Sequence, residues 1–449
     1  MRLKLLTLAL ALATVSLPSH GEDLMDAYRQ ARANDPTLAQ ADATRLSTGE
    51  GVNQARALLL PQISGTYSLN QTTGGGGQDV QDPSNPNQFI STSSFGHSRT
   101  RSLGLDLSQT VFDFSKYAGL KAAHASANAQ DETYEAALQN LYVRVATAYF
   151  TVLTDEDQLT FAKANEEAYK EQYDQAVQQY KVGIAAITGE FQAKSYYEAA
   201  KAQTIAAQNT LDNDREALSQ ITGQPTGSLK KLRDDLPMNL PEPSDPDAWV
   251  KQALINNPSL LAQQQNVRAA DANVTVARSG HLPTITASVS YSKSASWYED
   301  AAIHSNVPSQ TTVGLSLNVP IFSGGMVQSQ VRQSIYNRDA AQDSMEIERR
   351  QVKASALNYY RSVLAGISQV ESGKAAVDSA QKALDATRAG FNVGTQTMVN
   401  VLLAIQTLTQ SEGSYSQARH QLVLDRLLLK QSAGTASLDD LQNINSLLQ

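Results

Sequence analysis

Along this chain the hydrophobic positions keep two different periods, and the period switches twice. From Ile63 the residues alternate, with Ile63, Gly65, Tyr67 and Leu69 on one side and Ser64, Thr66, Ser68 and Asn70 on the other. A second alternating stretch sets Leu103, Leu105, Leu107 and Val111 against Gly104, Asp106, Ser108 and Thr110. Further on, Ile285, Ala287, Val289 and Tyr291 oppose Thr286 and three serines, and Val313, Leu315, Leu317, Val319 and Ile321 oppose Gly314, Ser316 and Asn318. A period of two over about eight to ten residues predicts strands with one apolar and one polar face. A soluble sandwich shows the same alternation, but these strands come as two isolated pairs with no others nearby.

Each pair gives way to a long stretch without proline, 113–182 and 323–393. In the first, Leu138, Val145, Val152 and Leu159 recur at heptad spacing, beside Leu141, Ala148 and Ala162. In the second, Ala356, Val363, Val370, Val377 and Leu384 do the same, beside Tyr359, Gly366, Gly373 and Ala380. Sustained heptads of apolar and small residues predict coiled-coil helices in close approach. A helix of about 70 residues spans roughly 100 Å. Both helices break at a glycine, in Val182-Gly183-Ile184 and Val393-Gly394-Thr395, and a further helical segment follows each, about 188–222 and 397–432. Glycine after a helix C-terminus accepts the left-handed conformation that closes it.

The two halves are versions of one unit. Asn34-Asp35-Pro36-Thr37-Leu38 is answered by Asn256-Asn257-Pro258-Ser259-Leu260, and Leu60-Pro61-Gln62-Ile63 by Leu282-Pro283-Thr284-Ile285. Leu103-Gly104-Leu105 and Val111-Phe112 return as Val313-Gly314-Leu315 and Ile321-Phe322, and Tyr180-Lys181-Val182-Gly183 as Phe391-Asn392-Val393-Gly394. The order is kept throughout. Extra residues of the first copy fall in the Gly-, Asn- and Ser-rich stretch 71–100, which reads as an exposed loop, with Gly74 to Gly77 as its flexible part. The expected organisation is a signal peptide at 1–21, a first repeat at 22–222 with its strand hairpin at about 61–112 and helical hairpin at 113–222, and a linker at 223–246. A second repeat at 247–449 has its strand hairpin at about 283–322, a helical hairpin at 323–432 and a C-terminal tail.

Composition removes whole classes of function. The chain has 449 residues and no cysteine, which excludes disulfides, thiolate metal sites, a cysteine nucleophile and a lipidated N-terminal cysteine. Arg2 and Lys4 precede an apolar core from Leu5 to Val15, Pro18 follows, and Ser19 and Gly21 set small residues before a cut at Glu22. This is the pattern of a secretory signal, and it is too short for a bilayer that needs about 20 residues. Cleavage removes two positive charges and no acid from a net charge of −8, so the mature chain is too acidic to favour nucleic acid. No later apolar run approaches the length of a transmembrane helix, so entry into a membrane requires a β-barrel. Four strands cannot close a barrel, since single-chain barrels start at about eight, so more than one copy must contribute.

Catalytic chemistry is missing. His20, His97, His124, His281, His304 and His420 lack metal-ligand spacing, and no phosphate-binding loop or G-x-S-x-G turn occurs. Acid pairs such as Asp234-Asp235 and Asp439-Asp440 read as solvated surface. No catalytic, cofactor or metal residue is expected, and the protein is expected not to be an enzyme. A secreted periplasmic coiled-coil structural protein without a channel accounts for the helices but leaves the strands without a purpose.

At Leu59-Leu60-Pro61-Gln62, Ala148-Tyr149-Phe150, Val182-Gly183, Gly280-His281-Leu282-Pro283-Thr284, Pro320-Ile321-Phe322-Ser323-Gly324-Gly325, Val331 and Val393-Gly394-Thr395 the chain resembles the TolC family of outer-membrane efflux and secretion channels. The resemblance runs in order over nearly the whole mature chain. It implies a mixed α/β membrane protein, a homotrimer with four strands per protomer in one twelve-stranded β-barrel, continued by a long α-helical coiled-coil barrel across the periplasm. It further implies an exit duct in the outer membrane lipid, served by a periplasmic adaptor (membrane fusion) protein and an inner-membrane transporter of the RND, ABC or MFS class. Drugs, toxic compounds or secreted polypeptides would be the cargo. The turns at Val182, Gly183, Val393, Gly394 and Thr395 would dock the adaptor.

The chain departs from the family at the periplasmic entrance. Relatives carry an arginine and two aspartates after the second turn, where this sequence has Gln396, Asn400 and Leu403; in the first turn Gly189 stands at an aspartate position, with Glu190 adjacent. The departure implies an entrance closed by neutral hydrogen bonds of Gln396 and Asn400 and narrowed by a ring of Leu403, or else a Leu403 that helix drift turns into the coiled-coil seam.

Edman sequencing of the exported protein is expected to begin at Glu22. A mature chain that begins at Met1 would contradict export.

Overall fold

The computed structural model describes residues 21–184, 186–298, 304–306 and 309–449. The expected signal segment, apart from Gly21, lies outside them. In chain order the elements are α1 (Leu24–Asn34), α2 (Pro36–Ala57), β1 (Gln62–Asp82), β2 (Asn85–Phe112), α3 (Phe114–Lys181), α4 (Ile187–Thr222), α5 (Pro246–Asn256), α6 (Pro258–Ser279), β3 (Thr284–Tyr298), β4 (His304–Asn306), β5 (Gln310–Asn318), α7 (Met326–Asn392), α8 (Met398–Ser432) and α9 (Leu438–Asn445). They fall into two compact units. Of the described residues, one comprises those of Thr44–Asp131 and Ala262–Met345 and holds the sheet; the other comprises those up to Ala43, Glu132–Leu261 and Glu346–Gln449. No helix among the described residues is long and apolar enough to cross a membrane.

In the sheet, β1 pairs with β2, β2 with β3, and both β4 and β5 pair with β3 along its other edge, all antiparallel. Four rows of strand result, with β1 at one edge and β4 and β5 sharing the other. Residues directly opposite in an antiparallel ladder point to the same face. Ile63 opposes Leu107, Leu107 opposes Val289 and Val289 opposes Val313, so these four side chains form one apolar line across the whole sheet. One residue along, Ser64, Asp106, Ser290 and Thr312 form the corresponding line on the other face. The alternation of each strand is thus brought into phase across all four.

The stretch 71–100, read above as a loop, is ladder. β1 and β2 pair residue for residue from Gln62↔Ser108 to Gln81↔Phe89, and the chain reverses at Pro83-Ser84. Glycine and serine are poor strand formers because they offer little side chain to pack, but the continued register gives their backbone groups partners, and this outweighs intrinsic preference. At the turn, the Ser84 N–H donates to Asp82 Oδ1 at 2.8 Å, and Pro83 presets the backbone. The second correction is at β5, which ends at Asn318 although the alternation runs on through Val319 and Ile321. Pro320 has no N–H to offer a ladder.

In the other unit the heptad positions are the core. Val145, Val152 and Leu159 of α3 are buried with Leu141 in one cluster shared with α1, α4, α8, α9 and the segment 229–238. Val363 and Val370 of α7 are buried with Trp249, Leu422 and Leu429 in a second. Tyr149, fully buried, explains the Ala148-Tyr149-Phe150 motif. Its hydroxyl lies 3.0 Å from the Glu22 carbonyl and 2.9 Å from that of Lys230, and so ties the N-terminal segment and the 223–246 segment to α3.

The two Asn-x-Pro motifs do the same local work. Asp35 and Asn257 each end one helix and open the next. Asp35 Oδ2 accepts the Leu38 N–H at 2.9 Å, and Asn257 Oδ1 accepts that of Leu260 at 3.2 Å. Burial alone would raise the Asp35 carboxyl, but the Arg144 guanidinium at 2.5 Å and the backbone N–H groups of Leu38 and Thr37 outweigh it and hold it below the usual carboxylate range. That stabilisation is present above about pH 4 and is lost as the pH falls through the depressed value.

Each motif is also where a later helix ends. Asn34 Nδ2 donates to the carbonyl of Thr222, the last residue of α4, and Asn257 Nδ2 donates to that of Ser432, the last residue of α8. Gly223, directly after Thr222, and Gly434, two residues after Ser432, have φ of 72° and 70°. A Cβ on Gly223 would meet the Asn34 Cβ at 2.8 Å, whereas one on Gly434 would lie 2.3 Å from the Asn256 carbonyl oxygen. The Asn34 Cβ is fixed to its own backbone and must move with it, but the contact at Gly434 is closer and falls on the backbone itself. Gly223→Ala is therefore expected to cost upwards of about 2 kcal/mol, for its left-handed backbone and the displaced Asn34 together, and Gly434→Ala more, upwards of about 3 kcal/mol. Urea unfolding of the two variants checks the order, and equal losses would contradict it.

Candidate functional site

The helical hairpins α3–α4 and α7–α8 turn at equivalent glycines. Gly183 and Gly394 adopt φ of 79° and 80°. At the first turn the Gly183 N–H donates to the Tyr180 carbonyl at 2.9 Å and that of Ile184 to Gln179 at 3.0 Å. At the second, the N–H of Gly394 donates to Phe391 at 3.0 Å and that of Thr395 to Gly390 at 2.8 Å. In both, the left-handed glycine lets the next residue reach back to a carbonyl of the last helical turn, which satisfies a group that a helix end leaves open.

The outgoing helices start differently. Thr397 caps α8, its hydroxyl accepting the Asn400 N–H at 3.4 Å, whereas Ala186 at the start of α4 has no side chain that can cap. Beyond their hydrogen bonds the turns are bare. Val182, Ile184 and Val393 are 68%, 76% and 75% exposed, and a Cβ on either turn glycine would meet nothing within 4 Å.

The residues expected to control an entrance follow directly. Asn400 Nδ2 donates to Gln396 Oε1 at 2.7 Å, one helical turn apart, so these two expected gate residues bind each other within the chain. The Gln396 NH2 and the Asn400 carbonyl oxygen stay without a partner among the described residues. Leu403 is 46% exposed, while Val401 and Leu402 are fully buried. The seam within the protomer takes Val401, Leu402 and Ile405, and Leu403 stands outside it. Glu190, in the first turn of α4, is partly buried and forms no hydrogen bond or ion pair with Gln396, Asn400 or any other described residue.

Three contributors were not anticipated. Tyr169 of α3 is buried, and its hydroxyl donates to the Leu402 carbonyl at 3.1 Å, which fixes α8 at the residue before Leu403. Burial and the neighbouring Tyr196 push its phenol up to about 12, so it donates at any physiological pH. The ring lies 5.5 Å from that of Tyr196, and Tyr173 stacks on Tyr197 at 6.2 Å. Tyr169, Tyr173, Tyr196 and Tyr197 sit symmetrically about the first turn in the sequence, the one signal that marked them. Gly390 is the second: a Cβ there would lie 2.7 Å from Gln396 Cγ, so the bare backbone is what Gln396 folds against. The third is Arg388, half-buried one turn before the break, with its Nε without a partner.

These turns belong to a recognised architecture. Residues 27–224 and 249–435 match the family described as outer membrane efflux protein. The chain belongs to that family. Outer membrane efflux proteins similar to it include the outer membrane protein TolC of Escherichia coli (strain K12), 35% identical over 98% of this chain and 88% of that protein. The alkaline protease secretion protein AprF of Pseudomonas aeruginosa is 26% identical over 93% of this chain and 86% of that one. Among solved structures, the CmeC outer membrane channel of Campylobacter jejuni shares the fold with a TM-score of 0.74 at 18% identity, over 95% of this chain and 89% of that one. This outer membrane efflux protein is an outer-membrane exit duct for efflux or type I secretion.

Replacing Tyr169 with Phe removes the side-chain bond from α3 to the backbone beside Leu403. The Leu402 carbonyl keeps its bond from the helix N–H one turn on, so the loss is that of a single added hydrogen bond, about 0.5–1.5 kcal/mol. Hydrogen exchange is expected to quicken at the amides of 400–406 and to stay unchanged at 360–370. Equal acceleration in both segments would show a global effect instead.

Proposed function

We propose that the protein works as a homotrimer in which four strand rows from each chain close one twelve-stranded barrel across the outer membrane. The helical hairpins continue that barrel as a coiled-coil tunnel through the periplasm, and the chain reads as one unit duplicated, with 223–246 as the join. The observation that carries this reading is the sheet. All four rows set serine, threonine, asparagine or aspartate on one face and exposed apolar side chains on the other, and the outer edges of β1 and β5 have no partner among the described residues. A sheet in lipid must turn its apolar face outward and leave no edge open, since each unsatisfied amide costs several kcal/mol. Closure by further copies of the same sheet meets both demands.

A duct of this kind supplies a path and no energy, and it is not an enzyme. We assign the exposed turns, Val182, Gly183, Val393, Gly394 and Thr395, to contact with a periplasmic adaptor that couples the duct to an inner-membrane transporter. Drugs and other toxic compounds, or secreted polypeptides such as the protease named for AprF, are the cargo classes. Supporting the docking role, the turns expose valine and isoleucine to solvent.

The entrance closes without charge. The Gln396 NH2 and the Asn400 carbonyl oxygen are free to bond a neighbouring copy, at about 0.5–1.5 kcal/mol per neutral bond, and rings of Leu403 narrow the passage by excluding water. Single-channel recordings in planar bilayers test this. Conductance is expected to be almost insensitive to divalent cations added on the periplasmic side, and Leu403→Asp is expected to create that sensitivity. Strong divalent block of the unmodified channel would contradict a neutral entrance and point to Glu190 as the ring.

A further inference from the structure

The apolar face of the sheet ends in cations at one end only. Along that face Tyr67 opposes Leu103 and Leu103 opposes Lys293; in the next line Leu69 opposes Arg101, and in the next Gln71 opposes Arg99. Arg99, Arg101 and Lys293 therefore project from the same face as the apolar band, at its border, and all three are exposed. Diagonal neighbours in such a ladder are about 7–8 Å apart, so Lys293 and Arg101 can reach one anionic group. Arg99 Nε donates to Gln71 Oε1 at 3.2 Å, which sets its guanidinium along the sheet, and neither Arg99 nor Lys293 has an ion-pair partner among the described residues.

Two contrasts say what the cluster faces. On the opposite face at the same level stand Ser68, Ser102, Ser294, Asn70, Thr100 and Ser296, with no charge, so the cations do not serve the polar interior. At the other end of the apolar face, where the strands join α2, α3, α6 and α7, the corresponding line is Phe112, Ile285 and Leu317, again without a cation. Past the cluster the face turns polar, with Thr73 Oγ1 bonded to His97 Nδ1 at 2.8 Å. The cations thus mark one headgroup depth, on the lipid side, at the end of the sheet remote from the helices.

We propose that Arg99, Arg101 and Lys293 form a binding site for a phosphorylated glycolipid of the outer leaflet. Its acyl chains lie along Leu103, Leu105 and Tyr67, and its phosphates meet the two guanidinium groups and the ammonium. Guanidinium binds phosphate through paired N–H donors, and a basic group near an anionic membrane surface adds attraction at a depth where the apolar band has just ended. The inference rests on the outer-membrane duct reading, which sets the apolar face toward lipid and the helices toward the periplasm.

The test uses the mature oligomer in phosphatidylcholine nanodiscs doped with bis-phosphorylated lipid A or with the same lipid stripped of its phosphates, and counts retained lipid by native mass spectrometry. The unmodified protein is expected to retain the phosphorylated form at least about tenfold more tightly. Inorganic phosphate at equal concentration is expected not to displace it. R99Q/R101Q/K293Q is expected to lose the discrimination, and R99K/R101K to keep most of it. Equal retention of the two lipids by the unmodified protein overturns the proposal whether or not the triple variant folds; so does displacement by free phosphate, or discrimination that survives the triple substitution. A protein that conducts in bilayers yet shows no preference sinks this site alone, whereas one that never inserts sinks the duct reading beneath it.

Discussion

The rest of the structure depends on one unmet demand, the hydrogen-bonding groups along the outer edges of β1 and β5. A soluble protein shields such edges with charge, proline, a bulge or a covering helix. Here the face that adjoins them is lined with exposed Leu, Ile, Val and Tyr, and the face behind it with Ser and Thr. That combination has no comfortable state in water as a single copy, and in lipid it has none that leaves an edge open. The fold answers half of the demand within the chain by pairing β2 with β3, which joins two hairpins far apart in sequence into one sheet. On the proposed reading, further copies of the chain answer the other half.

The helical unit solves a different problem, holding very long helices in place with little apolar material. Heptad positions on α3 and α7 collect into separate clusters, and polar details fix where the helices end. Asp35 and Asn257 each cap a helix junction, and beside them Gly223 and Gly434 bring the ends of α4 and α8 close to the Asn34 side chain and to the Asn256 backbone. At the opposite ends of those helices Gly183 and Gly394 use the same left-handed conformation in open space. One backbone device therefore appears in two settings, a tight junction in the core and a bare, exposed turn.

Much of this was legible because period and punctuation are local. The long helices end within a residue or two of the glycines that predicted their breaks, and the alternation of 63–69 and 285–291 identifies the two faces of the sheet. The extension of β1 and β2 through 71–100 was not legible, because a glycine- and serine-rich ribbon carries no period and is held by its partner strand. At β5 the error ran the other way: Val319 and Ile321 keep the alternation, but Pro320 breaks the ladder. In the turn region, sequence marked Gln396, Asn400 and Leu403 by what they replace. It gave no sign that Gln396 and Asn400 bond each other, that Gly390 makes room for Gln396, or that Tyr169 reaches across to the Leu402 carbonyl. Those relations depend on how two hairpins pack, and family membership alone does not supply them. The same membership removes the coiled-coil rod as a competing reading and gives the strands their purpose.

Pairing of the β1 edge of one copy with the β5 edge of another can be measured directly, because the chain has no cysteine of its own. One cysteine is placed at Thr66 on β1 and a second at successive positions from Gln310 to Asn318 on β5, and the protein is oxidised in isolated outer membranes. The account predicts disulfide formation at one register and its near neighbours, with covalent products that stop at three chains. Absence of any cross-link along β5, or a ladder that continues beyond three, would contradict the closed trimeric barrel.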